Sequence, residues 1–392
     1  MNKKIKEERK KHSAVFIPVC LISLIFIIVF PVSAGEYTYR ADEIGENAAL
    51  EKWDKLTEEL PDELKEDFGS LRPDLAASSG IREKTSPRFW LIKAWEKIKE
   101  ASADILPDLS LLLTLLVIMA VAKASLPEMS GPLSDTFLFC GRVAVALPLI
   151  SSTYRAISVA KEYLTRVTGL MNLLVPVMET LYLSDGSLTE AAVSTTGITL
   201  AVTVIGNINA TLMTPITSVL FTLSAVSSVC TDTKLGGVTE SVRKLLQRLW
   251  QILTLFFSFM IGTQSVIARS ADTLASRTAR FAITSMIPVA GGIISEAYNT
   301  LKEGVAYIRT VCGIGGIILV LLILLSGIVP LVVYKAVFGI TSFLSGMLGL
   351  DRTSALLGEI KKIIDFIIAI VMYTSMMLVF ALVLFAKSRS TI

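Results

Sequence analysis

The chain has 392 residues, 53% of them hydrophobic and 18% charged, with a formal net charge of +3. With a mean hydropathy of +0.65, this is the balance of a polytopic membrane protein, and the excess charge is too small and too dispersed for a nucleic-acid surface. The single histidine, His12, lies in a targeting segment and no Walker-type phosphate loop is present, so no catalytic residue, metal or cofactor is expected.

Residues 1–34 read as a signal sequence. Lys3, Lys4, Lys6, Arg9, Lys10 and Lys11 precede an apolar run over 14–30 and then Val32-Ser33-Ala34, which is a basic start, an apolar core and a small-residue cleavage site. An uncleaved anchor is the alternative, because the apolar run is slightly long. Residues 35–104 follow as an acidic extracytoplasmic segment, with sixteen Asp and Glu against eleven Lys and Arg through Glu100; lysine and arginine favour the other side of the membrane. Leu50, Trp53, Leu56, Leu60 and Leu64 recur at helical spacing, as do Phe89, Ile92, Trp95 and Ile98, which gives two amphipathic helices. They pack as a small cap on the membrane domain, or the second lies in the interface with Trp90 and Trp95 among the headgroups.

Residues 105–392 are expected to form an all-α domain that crosses the bilayer about seven times. Charge-free runs at 191–231, 249–268, 310–334 and 366–386 are each long enough to cross about 30 Å of hydrocarbon as a helix. Spans of ordinary length are expected at 249–268, 281–298, 311–334 and 363–386. Earlier in the domain, Pro107, Pro127, Pro132, Pro148 and Pro176 are expected to break helices. Lys123, Arg142 and Glu179 are ionisable candidates inside the membrane, lining a lumen or snorkelling at a boundary. A mature N-terminus outside and a basic end, Lys387 and Arg389, inside require an odd number of crossings. Cys20, Cys140, Cys230 and Cys312 are widely separated in apolar stretches, which fits buried, reduced thiols.

Three segments stand out. Residues 191–231 carry no charge but contain fourteen Ser and Thr with Asn207, Asn209 and Pro215; they suit two spans with a break near 207–215. Thr195, Thr199, Thr203, Asn207, Asn209 and Thr214 are candidates to line a pore or cavity, with ordinary helix packing as the plainer reading. In ARSADTLASRTARF, Arg269, Asp272, Arg277 and Arg280 fall on or near one helical face, where they form either a solvated basic connection or a polar seam between subunits. Next, Pro288, Gly291 and Gly292 can unwind a helix, which membranes tolerate only beside a cavity or inside protein.

The stretches SLTEAAVSTTGITLAVTVIGNINATLMTPI and SRTARFAITSMIPVAGGIISEAYNTL resemble the stage III sporulation protein AE family. The likeness is most specific over 276–288 and the following Val289-Ala290-Gly291, which are similar to the family's Pro-Val-x-Gly pattern. The resemblance implies a multi-pass protein of the mother-cell membrane around the forespore, one of an eight-gene set. Its products meet a forespore protein in a channel or secretion-like complex needed for late forespore gene expression. Membrane lipid, other subunits of that complex and further copies of this chain are the partners it implies, with ATPase-like subunits on separate chains. A secondary transporter of a small metabolite and a non-conducting scaffold are the alternatives.

Overall fold

The computed structural model describes residues 58, 84, 86–125, 132–184, 186–229, 235–286 and 291–387. The expected signal sequence and most of the acidic segment lie outside them. The ordered elements within the described residues are six long helices: α1 Pro87–Ser125, α2 Pro132–Ser184, α3 Leu188–Val229, α4 Leu235–Met286, α5 Gly291–Met347 and α6 Asp351–Ala386.

All six are long and apolar enough to cross a membrane, within Pro87–Ala124, Phe139–Ser184, Leu188–Ser224, Gly237–Thr278, Ile308–Met347 and Asp351–Ala386. Two expectations are corrected. Residues 191–231 fall almost wholly in one helix instead of two broken near Pro215, and the stretch expected as a span at 281–298 is divided between the end of α4 and the start of α5, with 287–290 outside the described residues. Helices also continue through Pro107, Pro148, Pro176, Pro215 and Pro330. Each proline removes one intrahelical bond, whereas ending the helix in hydrocarbon would orphan about four carbonyls and four amides. The hydroxyls nearby turn back onto the helix: Ser110 donates to the Pro107 carbonyl at 2.8 Å and Thr180 to that of Pro176 at 2.8 Å.

The α5–α6 hairpin is the centre. Its turn is closed by Gly349 at φ +69°, with the Leu350 amide donating to Ser345 O at 2.9 Å and the Gly349 amide to Gly346 O at 3.0 Å. This left-handed helix end satisfies carbonyls that would otherwise be bare, and only glycine adopts it without strain. Around the hairpin, α1 packs on α5 and α2, α2 on α3, α5 and α6, and α3 and α4 on each other and on α6. Gly327 lets α2 approach, since a Cβ there would sit 2.8 Å from Tyr163. The Tyr163 hydroxyl and Ser375 then share a hydrogen bond across the core.

Successive helices run antiparallel, so the start of α1 and the end of α6 lie at the same end of the bundle. Lys123 near the end of α1 reaches Gly349 O in the α5–α6 turn, which fixes the opposite end. If all six candidate spans cross, Arg88 and Lys387 lie on one side of the membrane, whereas charge led to the expectation of opposite sides. Accessibility tags inserted ahead of Pro87 and after Lys387 are expected to report the same side; opposite sides would mean that one of the six helices does not cross. Gly327→Ala is expected to cost about 1–3 kcal/mol through overpacking, read as lower thermal stability in detergent.

Candidate functional site

At the end of the bundle away from the α5–α6 turn, five helices converge on one carboxylate. Glu190, in the first turn of α3, is 2% exposed. Arg269 of α4 donates to its Oε1 at 2.7 Å, and an Arg309 amino group from α5 lies 3.7 Å from Oε2. Two cations surplus to one anion would be costly here, but both arginines also cap α6. Arg309 Nε donates to Phe385 O at 3.0 Å, Arg269 donates to Leu384 O, and Thr310 reaches Ala386 O at 3.2 Å. These are the last carbonyls of the helix, unpaired within it and carrying its negative dipole end. Arg309 also stacks over Tyr182 of α2, with its guanidinium carbon 4.5 Å from the ring centroid.

Asp272, one turn beyond Arg269, caps α3 from outside: it accepts from the amides of Thr189 at 3.0 Å and Glu190 at 2.8 Å. Side chains from a neighbouring helix therefore do the work of an N-cap. Of the four residues expected to form a seam, Arg269 and Asp272 are thus engaged within the chain and do not pair with each other. Arg277 is exposed on α4, and the Arg280 side chain lies outside the described residues. Gly291 and Gly292 open α5, while Pro288 lies outside the described residues.

Below this junction the bundle has two different exteriors at one height. On α2, Ser158, Lys161, Glu162, Thr165, Asn172 and Glu179 are exposed at helical spacing. On α3, Thr199, Thr203 and Asn207 are exposed four residues apart, Thr196 and Thr211 with them. The two faces adjoin. Gly206 of α3 meets Thr168 of α2 so closely that a Cβ would lie 3.0 Å from the Thr168 methyl, and positions three and four residues along each helix flank that contact. Thr195 and Asn209, also expected in the lining, point into the bundle instead; Thr195 bonds back to Ala191 O. The Thr214 side chain lies outside the described residues.

This polar face lies level with the charge-free stretch of α6, because Tyr163 meets Ser375 there. At the same height α4 shows Leu255, Phe256 and Phe259 to the outside, with Gly262 against Phe380 fixing its position. A charge facing lipid at mid-membrane costs about 2.5–3.5 kcal/mol on insertion scales. Hydrocarbon suits the α4 side, and water or protein suits the α2–α3 side.

Residues 87–388 match the family described as Stage III sporulation protein AE. The chain belongs to the stage III sporulation protein AE family. Stage III sporulation protein AE of Bacillus subtilis (strain 168) is 21% identical over 352 residues, covering 87% of each chain. No solved structure matches. Membership carries a role in sporulation, and the six candidate spans make this family member a multi-pass membrane protein. The Glu190 junction and the α2–α3 face both lie within the residues that match the family.

Sequence reasoning missed Glu190 and Arg309 because nothing local pairs them: they are brought together from two helices more than a hundred positions apart. The α2 face was missed as well, apart from Glu179, although Ser158, Lys161, Thr165, Asn172 and Glu179 recur at three-, four- and seven-residue steps, a signal that could have found it. Of the other ionisable candidates, Lys123 is exposed and Arg142 is buried beside the Phe139 ring. Cys312 is buried and Cys140 exposed. Among the described residues no cluster could hold a metal ion.

Arg309→Ala strips a buried carboxylate and a helix end of one partner, and is expected to lower stability by about 3–5 kcal/mol. Arg309→Lys is expected to recover only part, since an ammonium cannot serve the carboxylate and the Phe385 carbonyl with the geometry of a planar fork. Thermal unfolding of the purified variants checks both.

Proposed function

We propose that this chain is a non-enzymatic subunit of a membrane channel or secretion complex in endospore formation. It sits in the mother-cell membrane surrounding the forespore. Copies of it assemble with other subunits so that the α2–α3 faces turn toward a shared aqueous conduit needed for late forespore gene expression. The observation that carries this reading is the polar α2–α3 face at the height of the charge-free core hairpin. Lys161, Glu162 and Asn172 cannot face lipid cheaply, whereas a water-filled lumen solvates them.

Hydroxyl and amide groups at Thr165, Thr199, Thr203 and Asn207 suit such a wall. They hydrogen-bond water without a fixed charge, while the Arg166–Glu162 pair at 2.7 Å keeps the charges locally balanced. The conduit has no chemistry to perform, so its wall needs only to be wet, fixed in position and continuous across the hydrocarbon.

Single cysteines at Thr165, Asn172, Thr199, Thr203 and Asn207, placed in a cysteine-free background, are expected to react with a membrane-impermeant thiol reagent. Cysteines at the buried positions Val202 and Ile205 are expected to stay protected. Uniform protection along both helices in assembled membranes would reject the conduit and leave a scaffold as the reading.

A further inference from the structure

At the Glu190 junction three helices end together: α2 at Ser184, α3 at Leu188 and α6 at Ala386. The other two do not. Helix α4 continues from Arg269 to Met286, and α5 begins at Gly291, well ahead of Arg309. At 1.5 Å per residue this extension of α4 projects about 25 Å past the junction. Its outer face is not dressed for water. Leu274 is 68% exposed and Phe281 74%, and seven residues apart they share one side of the helix, with Arg277 between them.

Hydrocarbon of ordinary thickness is too thin to cover the whole of this face. Exposed apolar residues run along the same side of α4 from Val238 through Leu245, Leu249, Ile252 and Phe256 to Phe281, a stripe of about 65 Å against about 30 Å of hydrocarbon. If the uncharged part, 249–268, occupies the membrane, Leu274 and Phe281 lie outside it.

We propose that the projecting end of α4 is the docking surface for residues 50–64 of the same chain. Three features favour that occupant. The sequence gives 50–64 one apolar side, Leu50, Trp53, Leu56, Leu60 and Leu64, of a length to cover the two turns between Leu274 and Phe281. Its other side is acidic: Glu51, Asp54, Glu58, Glu59, Asp62 and Glu63 face only Lys52 and Lys55. On the α4 face itself the described charge is Arg277, which is exposed, whereas Arg269 and Asp272 point the other way, into the Glu190 junction. The third feature is reach. The segment is joined to α1, whose start lies at this end of the bundle, by some twenty residues that can extend to about 70 Å. The docked segment shields the two apolar residues and brings acidic groups alongside Arg277 outside the membrane. It would do so whether or not the chain forms a conduit.

The test uses the full chain with its native cysteines replaced by serine, carrying Leu60→Cys and Phe281→Cys, with a protease site inserted between residues 70 and 80. After mild oxidation in membranes and cleavage, the proposal expects the two fragments to remain joined until reductant is added. Separate fragments, or a product of twice the chain mass formed through these cysteines, would overturn it, the latter by showing a second copy on the face. Labelling guards against a cross-link that fails only through local geometry. Leu274→Cys should react slowly with an impermeant maleimide in the full chain and distinctly faster when 50–64 is deleted. Equal rates in the two chains reject the docking.

Discussion

The carboxylate of Glu190 is the point on which the rest of the structure depends. It sits at the positive end of α3, between two arginines that also hold the last carbonyls of α6. Each member compensates for a cost created by another. The buried carboxylate needs cations, the arginines need acceptors for the donors Glu190 leaves unused, and the end of α6 needs donors for carbonyls that have lost their helical partners. Asp272 closes the set by capping the α3 amides. In a low-dielectric layer removing any one member leaves the others uncompensated, so the shared partners favour a single arrangement.

That fixed arrangement sets the height of everything beneath it. With α3, α4, α5 and α6 pinned at one level, Gly206 meets Thr168, Gly313 meets Ala386, and Tyr163 meets both Gly327 and Ser375. A slip of one turn would lift the Lys161 and Asn172 side of α2 out of register with Thr199 and Thr203 of α3. The polar wall is therefore a consequence of the junction above it. The same pinning explains why α4 and α5 stand beyond the other helix ends: the arginines that bind Glu190 lie well inside both helices rather than at their tips.

Much of this was legible in the sequence, and what was not has physical causes. Charge-free runs located helices correctly at 249–268, 310–334 and 366–386, because hydrocarbon length and helical rise leave little freedom. The hydroxyl-rich stretch was recognised, but Pro215 was given too much weight. A proline costs one bond, and packing of α3 on α2, α4 and α6 offsets it. Helix length was also misjudged, since a helix need not stop where the membrane does; α5, with 57 residues, is about 85 Å long at 1.5 Å per residue. Arg269 and Asp272, a turn apart on α4, suggest either a solvated connection or a seam between subunits. Their actual partners, Glu190, Leu384 O and the α3 amides, come from distant parts of the chain, which spacing cannot reveal. Thr195 and Asn209 share a composition with Thr199 and Asn207, and only the packing of α3 separates the buried pair from the exposed one.

The central claim is that the polar α2–α3 face belongs to a conduit shared between copies. The most direct test is the native mass of the full chain in a lipid nanodisc together with averaged electron-microscope images of the same particles. The account predicts a closed ring with a central opening bounded by α2 and α3 and with the apolar side of α4 turned away from it. A compact monomer, or a ring whose opening is bounded by Leu255, Phe256 and Phe259 of α4, would contradict it.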